Sequence, residues 1–211
     1  WADRPKPPTA PIHAYDIEFA GQSSADKRAK LSEELRQNNL AATIITDPAS
    51  VAWLLNVRGG DVANTPLPLS FAILYDNGKV DWFVDAAKLT TSLPKHLGTD
   101  VTPRHPDQFP QALDALAEKT VRIDPAESAH WIVDRLRNAK AKLDCGDDPC
   151  VLPKACKNTV ELQGMRHCHI RDGAALVTFL AWLDQAGTVT ELDVEKKLGE
   201  CRAAATLYRG L

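Results

Sequence analysis

The stretch Ala-Ala-Thr-Ile-Ile-Thr-Asp-Pro-Ala-Ser-Val-Ala-Trp-Leu-Leu-Asn, residues 41–56, decides the fold class of this chain. It opens with a short apolar run rich in β-branched residues, which predicts a buried strand. Asp47 and Pro48 then supply an N-cap and a first helical residue, and Val51 and Leu54 follow at helical spacing. A buried strand that leads directly into a helix is typical of an α/β domain.

The same alternation continues on both sides of this stretch. A helix is predicted from Ser23 to Asn38, and a hairpin is predicted around the turn Asp76-Asn77-Gly78-Lys79, with strands at 70–75 and 80–84. Further along, the pattern predicts a short helix after Asp85, an extended piece at 100–102, a helix at 107–118, a strand at 120–123, a helix at 128–138 and a strand at 141–143. The sequence therefore predicts a mixed sheet, mostly parallel, with one antiparallel hairpin.

Two further segments flank this α/β unit. Residues 1–14 hold four prolines and are predicted to be a proline-rich linker. The α/β domain is expected over residues 15–155. Residues 156–211 read as helix only, because a capping box at Asn158 opens an apolar pattern over 159–184 and a second helix starts after Thr190.

Composition excludes several classes of function. A net charge of -3 gives no reason to expect a nucleic acid or an anionic membrane as a partner. The longest apolar run, Ala174 to Leu183, is well short of the ~20 residues that span a bilayer. The five cysteines form no Cys-x-x-Cys pair, which favours reduced thiols and a cytoplasmic location. The single methionine is Met165, so a processed chain or a piece of a longer polypeptide is expected.

Residues 164–173, Gly-Met-Arg-His-Cys-His-Ile-Arg-Asp-Gly, resemble a metal-ligand cluster in composition. On a helix each residue turns by about 100°, so His167 and His169 point about 200° apart and cannot share one ion. His169 and Asp172 do share a helix face, since they are three residues apart. We therefore expect a structural pair between His169 and Asp172 and no metal site in this chain.

The irregular stretch after Asn56 contains the candidate binding residues. Glycines at 59 and 60 allow another chain or a ligand to come close, and Arg58 and Asp61 flank them. These two charges could reach a substrate terminus, or they could pair with each other and fix their own loop. Motifs for a nucleophilic serine, a dinucleotide or a phosphate loop do not occur in the sequence.

Three blocks of sequence resemble the three-domain aminopeptidase P (Xaa-Pro aminopeptidase) family. They are SVAWLLNVRGGDVANTPLPLSFAIL, LPKACKNTVELQGMRHCHIRDGAALVTFLAWLD and TELDVEKKL. Within them, residues 56–61 are similar to the family's Asn-x-Arg-Gly-x-Asp loop, and residues 153–158 are similar to its Pro-Lys-x-x-Lys-Asn junction. The resemblance covers the chain from about residue 18 onward.

The resemblance implies a fold and an activity. Residues 15–155 would be the second creatinase-like domain, with the creatinase N-terminal mixed sheet, and 156–211 the first helices of an incomplete pita-bread catalytic domain. The complete enzyme would be a metalloaminopeptidase that uses two divalent ions, expected to be manganese, on peptides with proline at the second position. A homodimer is a further expectation from the family.

The family's metal ligands all lie beyond the part of the polypeptide that this chain matches. No catalytic residue is therefore assigned here, no ion is expected on this chain, and the chain alone is expected to be inactive. Arg58 and Asp61 are the expected substrate-binding residues. Two other readings stay open: a non-catalytic α/β interaction or scaffold domain, and a fragment of a related creatinase or prolidase enzyme.

Overall fold

The computed structural model describes residues 3–208 and divides the chain into two units, Trp1–Lys157 and Asn158–Leu211. Strands and helices alternate along the first unit, as the sequence predicts, and the second unit contains only helices in its described part. Within residues 3–208, no helix combines the length and apolar character that a bilayer-spanning segment requires.

Within residues 3–157, the first unit contains eight strands. They are β1 His13–Ala14, β2 Ala42–Ile45, β3 Val57–Arg58, β4 Phe71–Tyr75, β5 Val80–Phe83, β6 Val101–Arg104, β7 Thr120–Ile123 and β8 Lys142–Cys145. Its helices are α1 Ile17–Ala20, α2 Ser24–Gln37, α3 Pro48–Leu55, α4 Leu93–Leu97, α5 Phe109–Asp114, α6 His130–Asn138 and α7 Val151–Ala155. Short 3-10 turns occupy Ala86–Lys88 and Pro106–Gln108. The sequence did not predict α1 or α7.

Six strands form one mixed sheet in the order β6-β5-β4-β2-β7-β8. The pairs β2–β7, β5–β6 and β7–β8 are parallel, and β4 runs antiparallel to both of its neighbours. The predicted mixed sheet is confirmed, and the hairpin of β4 and β5 turns at Gly78, whose φ of 80° favours glycine. The antiparallel pairing of β2 with β4 was not predicted.

Apolar side chains from both faces of this sheet form two core clusters. Helices α2, α3 and α4 supply one cluster, which includes Leu31, Leu54 and the fully buried Trp82. Helices α5 and α6 supply the other, which includes Leu113 and Phe83. Burial of one large apolar side chain stabilises the fold by about 1.5–3 kcal/mol. The helices on the two faces cover these side chains and so stabilise the sheet.

The segment predicted as a proline-rich linker is only partly separate from the sheet domain. Residues 3–11 are mostly exposed, whereas Ile12 is fully buried and β1 pairs with β3. The Ile12 backbone N–H donates to the carbonyl of Lys88 at 2.8 Å, and the Thr90 hydroxyl donates to the Ile12 carbonyl at 2.8 Å. Ile12 therefore belongs to the core of the first unit and residues 13–14 pair with β3, whereas residues 1–2 lie outside the described part of the chain.

The second unit consists of α8 Thr159–Gln185 and α9 Glu191–Ala203. The predicted capping box is confirmed: the Glu161 N–H donates to Asn158 Oδ1 at 3.0 Å, and the Asn158 N–H donates to Glu161 Oε2 at 2.9 Å. Thr190 caps α9 in the same way, through the N–H of Asp193. Residues 209–211, the end of the predicted helical segment, are outside the described residues.

Helix α8 leaves much apolar surface exposed. Ile170 is 70% exposed, Val177 65% and Leu180 51%. Phe179, by contrast, is buried. An isolated helix obtains little stability from propensity alone, so α8 depends on the faces that it does bury.

Candidate functional site

The loop that leaves α3 starts from a buried asparagine. Asn56 ends the helix in the left-handed conformation, at φ 50° and ψ 56°. Its Oδ1 accepts a hydrogen bond from Lys27 Nζ at 2.7 Å, and its Nδ2 donates to the carbonyl of Gln22 at 2.8 Å. Asparagine tolerates this backbone conformation better than most residues do, and its side chain ties the loop to α2.

Gly59 allows the loop to fold back on itself. A Cβ at this position would lie 2.8 Å from the backbone nitrogen of Pro68, which is closer than real contacts permit. At Gly60 the nearest atom to such a Cβ is the Ala10 side chain at 3.5 Å, an ordinary contact. Glycine is therefore required for packing at 59, and the space at 60 admits a methyl group.

Arg58 lies on the strand β3 beside the N-terminal segment. Its guanidinium carbon is 3.9 Å from the centre of the Tyr15 ring, and its Nη1 donates to the Val57 carbonyl at 2.8 Å. The residue is half-buried, so part of the side chain remains open to solvent. A guanidinium that stacks on an aromatic face gains a cation–π interaction.

Asp61 points away from solvent and binds Lys88. The Lys88 Nζ lies 2.6 Å from Asp61 Oδ2, and the two side chains are 5% and 0% exposed. The Leu69 N–H donates to the same carboxylate oxygen at 2.7 Å, while Lys88 donates to the Leu69 carbonyl at 3.3 Å. Both backbone groups of Leu69 are thus bound by one buried ion pair, which closes the loop over residues 61–69.

The alternative in which Arg58 pairs with Asp61 is wrong, because Asp61 binds Lys88 and Arg58 stacks on Tyr15. The carboxylate of Asp61 is sealed from solvent and sets the shape of the loop. Arg58 is the predicted residue that solvent can reach. Neither Lys88 nor Tyr15 could be found from the sequence, since no local pattern marks a contact between residues so far apart in the chain.

The histidine cluster on α8 does not assemble into a site. His167, Cys168 and His169 are all exposed. The predicted pair of His169 with Asp172 is wrong: the Asp172 Oδ1 accepts from Arg202 Nε at 2.7 Å, which links α8 to α9. Across the described range 3–208, no three histidine, cysteine, aspartate or glutamate side chains group as metal ligands. These residues do not fit a centre that holds two divalent ions.

A second cluster of polar side chains lies where the parallel strands end. Asp47 follows β2, Asp124 follows β7, and residues 146–150 follow β8 back over the same edge of the sheet. The Asp148 N–H donates to Asp124 Oδ2 at 2.9 Å, and the Cys150 N–H donates to Asp148 Oδ1 at 2.8 Å. The segment that leads into α7 therefore covers this edge.

Lys154, from the junction that resembles the Pro-Lys-x-x-Lys-Asn motif, binds this edge directly. Its Nζ donates to Asp47 Oδ2 at 2.7 Å and to the Ser50 hydroxyl at 3.1 Å. Burial would raise the pKa of Asp47, but the hydrogen bonds from Lys154 and from the Ala49 N–H outweigh it and the pKa is lowered. Lys154 thus connects α7 to the first turn of α3.

Cys150 is enclosed beneath α7. Its side chain is fully buried, and burial together with the neighbouring charge of Asp148 raises the pKa of the thiol well above its usual range. A thiol of this kind is not a nucleophile at neutral pH. The cluster at this edge is therefore a structural junction.

Comparison with known proteins gives consistent results. The model of the Creatinase/Prolidase N-terminal domain family matches residues 3–161. The protein named "Probable Xaa-Pro aminopeptidase P" from Aspergillus niger is 33% identical over 99% of this chain and 36% of its own length. The protein with the same name from Talaromyces stipitatus is 34% identical over 99% of this chain and 34% of its own length.

Among solved structures, X-prolyl aminopeptidase from Caenorhabditis elegans superposes with a TM-score of 0.90 at 28% identity, over 100% of this chain and 36% of that one. It is described as a cytosolic enzyme with a di-nuclear active site. X-Pro aminopeptidase from Thermotoga maritima shares the fold, with a TM-score of 0.58 at 16% identity over 84% of this chain and 49% of that one. This chain spans about a third of the length of the relatives with similar sequences. Because the family model matches most of its residues, the chain belongs to the Creatinase/Prolidase N-terminal domain family.

Proposed function

We propose that this chain is a portion of a metal-dependent Xaa-Pro aminopeptidase, an enzyme that releases the N-terminal residue preceding proline from peptides. One observation carries the proposal: proteins named Xaa-Pro aminopeptidase P align with 99% of this chain while it covers about a third of them. Residues 15–155 would be the second creatinase-like domain, and 156–211 the first helices of the pita-bread catalytic domain.

The metal centre of the complete enzyme is proposed to hold two divalent ions, with manganese as the expected metal. Its ligands would come from polypeptide outside these 211 residues, because the acidic and histidine side chains of the described part do not group as ligands. We assign no catalytic residue within this chain. The chain alone is therefore expected to be inactive.

The role proposed for this chain is to shape the approach of the peptide. Arg58 is the candidate for direct contact, since its guanidinium is held on Tyr15 and remains partly open to solvent. Asp61 would act indirectly, because its buried bond to Lys88 fixes the loop over residues 61–69, which follows Arg58 in the chain. A positive side chain suits a carboxylate or a backbone carbonyl of a bound peptide.

The expected partners are peptides with proline at the second position, a second copy of the complete enzyme in a homodimer, and neither nucleic acid nor membrane. A cytoplasmic location is supported by the description of the Caenorhabditis elegans relative as cytosolic. The five free cysteines, none in a disulfide, agree with a reducing compartment.

The test compares two polypeptides. The purified 211-residue chain and the complete polypeptide encoded by its gene are each incubated with a Xaa-Pro peptide and Mn²⁺, and released amino acid is measured. We expect release by the complete polypeptide alone. Release by the 211-residue chain would overturn the assignment of the metal centre to other polypeptide, and an encoded polypeptide no longer than this chain would overturn the proposal as a whole.

A further inference from the structure

The ring of Tyr15 lies against the guanidinium of Arg58, with 3.9 Å between the guanidinium carbon and the ring centre. We propose that Tyr15 is a positioning residue that holds Arg58 in the orientation in which it meets the peptide substrate. This inference rests on the proposed function, in which Arg58 contacts the peptide.

The backbone fixes these two residues relative to each other. Strands β1 and β3 pair so that His13 lies opposite Arg58 and Ala14 lies opposite Val57. One residue further, the Tyr15 N–H donates to the Asn56 carbonyl at 2.8 Å. The ring therefore arrives beside Arg58 as a direct result of strand register.

The Tyr15 ring also contacts a second aromatic side chain. Tyr15 and Phe19 have ring centres 5.8 Å apart, at an angle of 33°. Tyr15 is half-buried, so its ring is held by packing against Phe19 as well as by the contact with Arg58. A fixed aromatic face is a better support for a guanidinium than a flexible side chain is, since it has few rotamers of its own to lose.

The energetic reason for such a support is preorganisation. Arginine has many rotamers in solution, and a protein that binds a ligand through arginine must order it at the moment of binding. A guanidinium already stacked on Tyr15 has lost most of that freedom before the peptide arrives. The loss of the ring should therefore weaken peptide binding and raise KM, while the chemical step and kcat stay unchanged.

The experiment uses the complete enzyme with a Xaa-Pro peptide and compares Tyr15→Leu, Tyr15→Phe, Arg58→Met and the double variant Tyr15→Leu/Arg58→Met. Tyr15→Leu should raise KM about five-fold with kcat unchanged, which is the size expected for a cation–π contact. Tyr15→Phe keeps the aromatic face and should stay within about two-fold of wild type. If Tyr15 acts through Arg58, the double variant should have the KM of Arg58→Met alone.

A matched control is Trp131→Leu, which removes another half-exposed ring beside an arginine, Arg135 at 5.9 Å, from a different part of the same unit. It should leave KM unchanged. Equal effects of Tyr15→Leu and Tyr15→Phe, additive effects in the double variant, or a change confined to kcat would overturn the inference while the role of Arg58 stands. An unchanged KM in Arg58→Met would overturn the role of Arg58 and the inference together. Thermal unfolding of each variant identifies any that fail to fold, and if Tyr15→Leu is one of them, Tyr15→Met replaces it in the same comparison, alone and combined with Arg58→Met.

Discussion

Asp61 and Lys88 form an ion pair from which water is excluded, and removal of either partner leaves a buried charge alone. We predict that Lys88→Met lowers the free energy of unfolding by about 3–5 kcal/mol, because the carboxylate of Asp61 then lacks its cation. The double variant Asp61→Leu/Lys88→Met should recover most of this loss, since two apolar side chains need no partner.

Urea unfolding of the 211-residue chain measures these differences. Lys30→Met is the control, because Lys30 is exposed on α2 and its replacement should change stability by less than about 0.5 kcal/mol. If Lys88→Met behaves like Lys30→Met, the pair does not hold the loop.

The buried thiol of Cys150 gives a second prediction for a single residue. Since burial and Asp148 raise its pKa, Cys150 should resist alkylation by iodoacetamide at neutral pH in the folded chain. Cys145, Cys156 and Cys168 are exposed and should be modified first. Mass spectrometry of peptides from briefly treated protein gives the order, and early modification of Cys150 would contradict its placement beneath α7.

The sequence identified one residue of each contact at the candidate loop, Arg58 and Asp61, but not the partner of either. Arg58 and Asp61 stand out because charges beside glycines in an irregular stretch are unusual, whereas their partners carry no such signal. Lys88 is 27 residues from Asp61 and belongs to a short turn, so only the folded sheet brings them together. The pairing of Arg58 with Asp61, which their proximity in sequence suggests, is therefore wrong.

Among the helices, α3 depends most clearly on a titratable cap. Asp47 accepts hydrogen bonds from the Ala49 N–H at 2.9 Å and the Ser50 N–H at 3.1 Å, as well as from Lys154. Its pKa is lowered in the folded protein, against about 3.9 in an unfolded chain. A lowered carboxyl pKa contributes stability that is present above the unfolded value and is lost as the pH falls through the folded value.

Asp47→Asn should therefore be less stable than wild type at pH 7, by about 1 kcal/mol, since asparagine still caps but forms no ion pair. The difference should persist to about pH 5 and shrink as the pH falls below about 4. Urea unfolding at pH 7, 5 and 3 measures it. Asp107→Asn, at a carboxylate that is 90% exposed, is the control, and a gap for Asp47→Asn that does not change with pH would contradict the prediction.

Elements with local signals were predicted well, and those with nonlocal causes were not. Signals that depend only on neighbouring residues were recognised. They are the cap at Asp47, the turn at Gly78 and the capping box at Asn158, and the sequence therefore predicted α3, the β4–β5 hairpin and α8. Helix α7 was not predicted, because Pro153 lies within its five residues and suggested a boundary instead. The antiparallel pairing of β2 with β4 depends on residues about 30 apart, and no short pattern reports it.

At the scale of the whole molecule, the fold class followed from the alternation of strands and helices, and the family followed from sequence blocks. The chain spans about a third of the length of the relatives that it matches, and the activity of the whole protein is therefore a proposal. Two units are present, and the second exposes apolar side chains of α8 such as Ile170 and Val177. The fold could be predicted because local patterns and packing faces determine it, whereas the substrate-binding role of Arg58 and Asp61 rests on a resemblance and stays a prediction.

The segment from Gly146 to Lys154 has a consequence for how this domain meets other molecules. In open α/β sheets, nucleotides and similar ligands settle in the crevice beyond the carboxyl ends of the parallel strands. Here the polypeptide itself fills that place: the Gly146 N–H bonds the Ile123 carbonyl, Asp148 bonds Asp124, and Lys154 bonds Asp47. The edge where such sheets bind ligands is therefore covered by this chain's own residues 146–154, and a ligand of this domain is expected to bind at the outer loops instead.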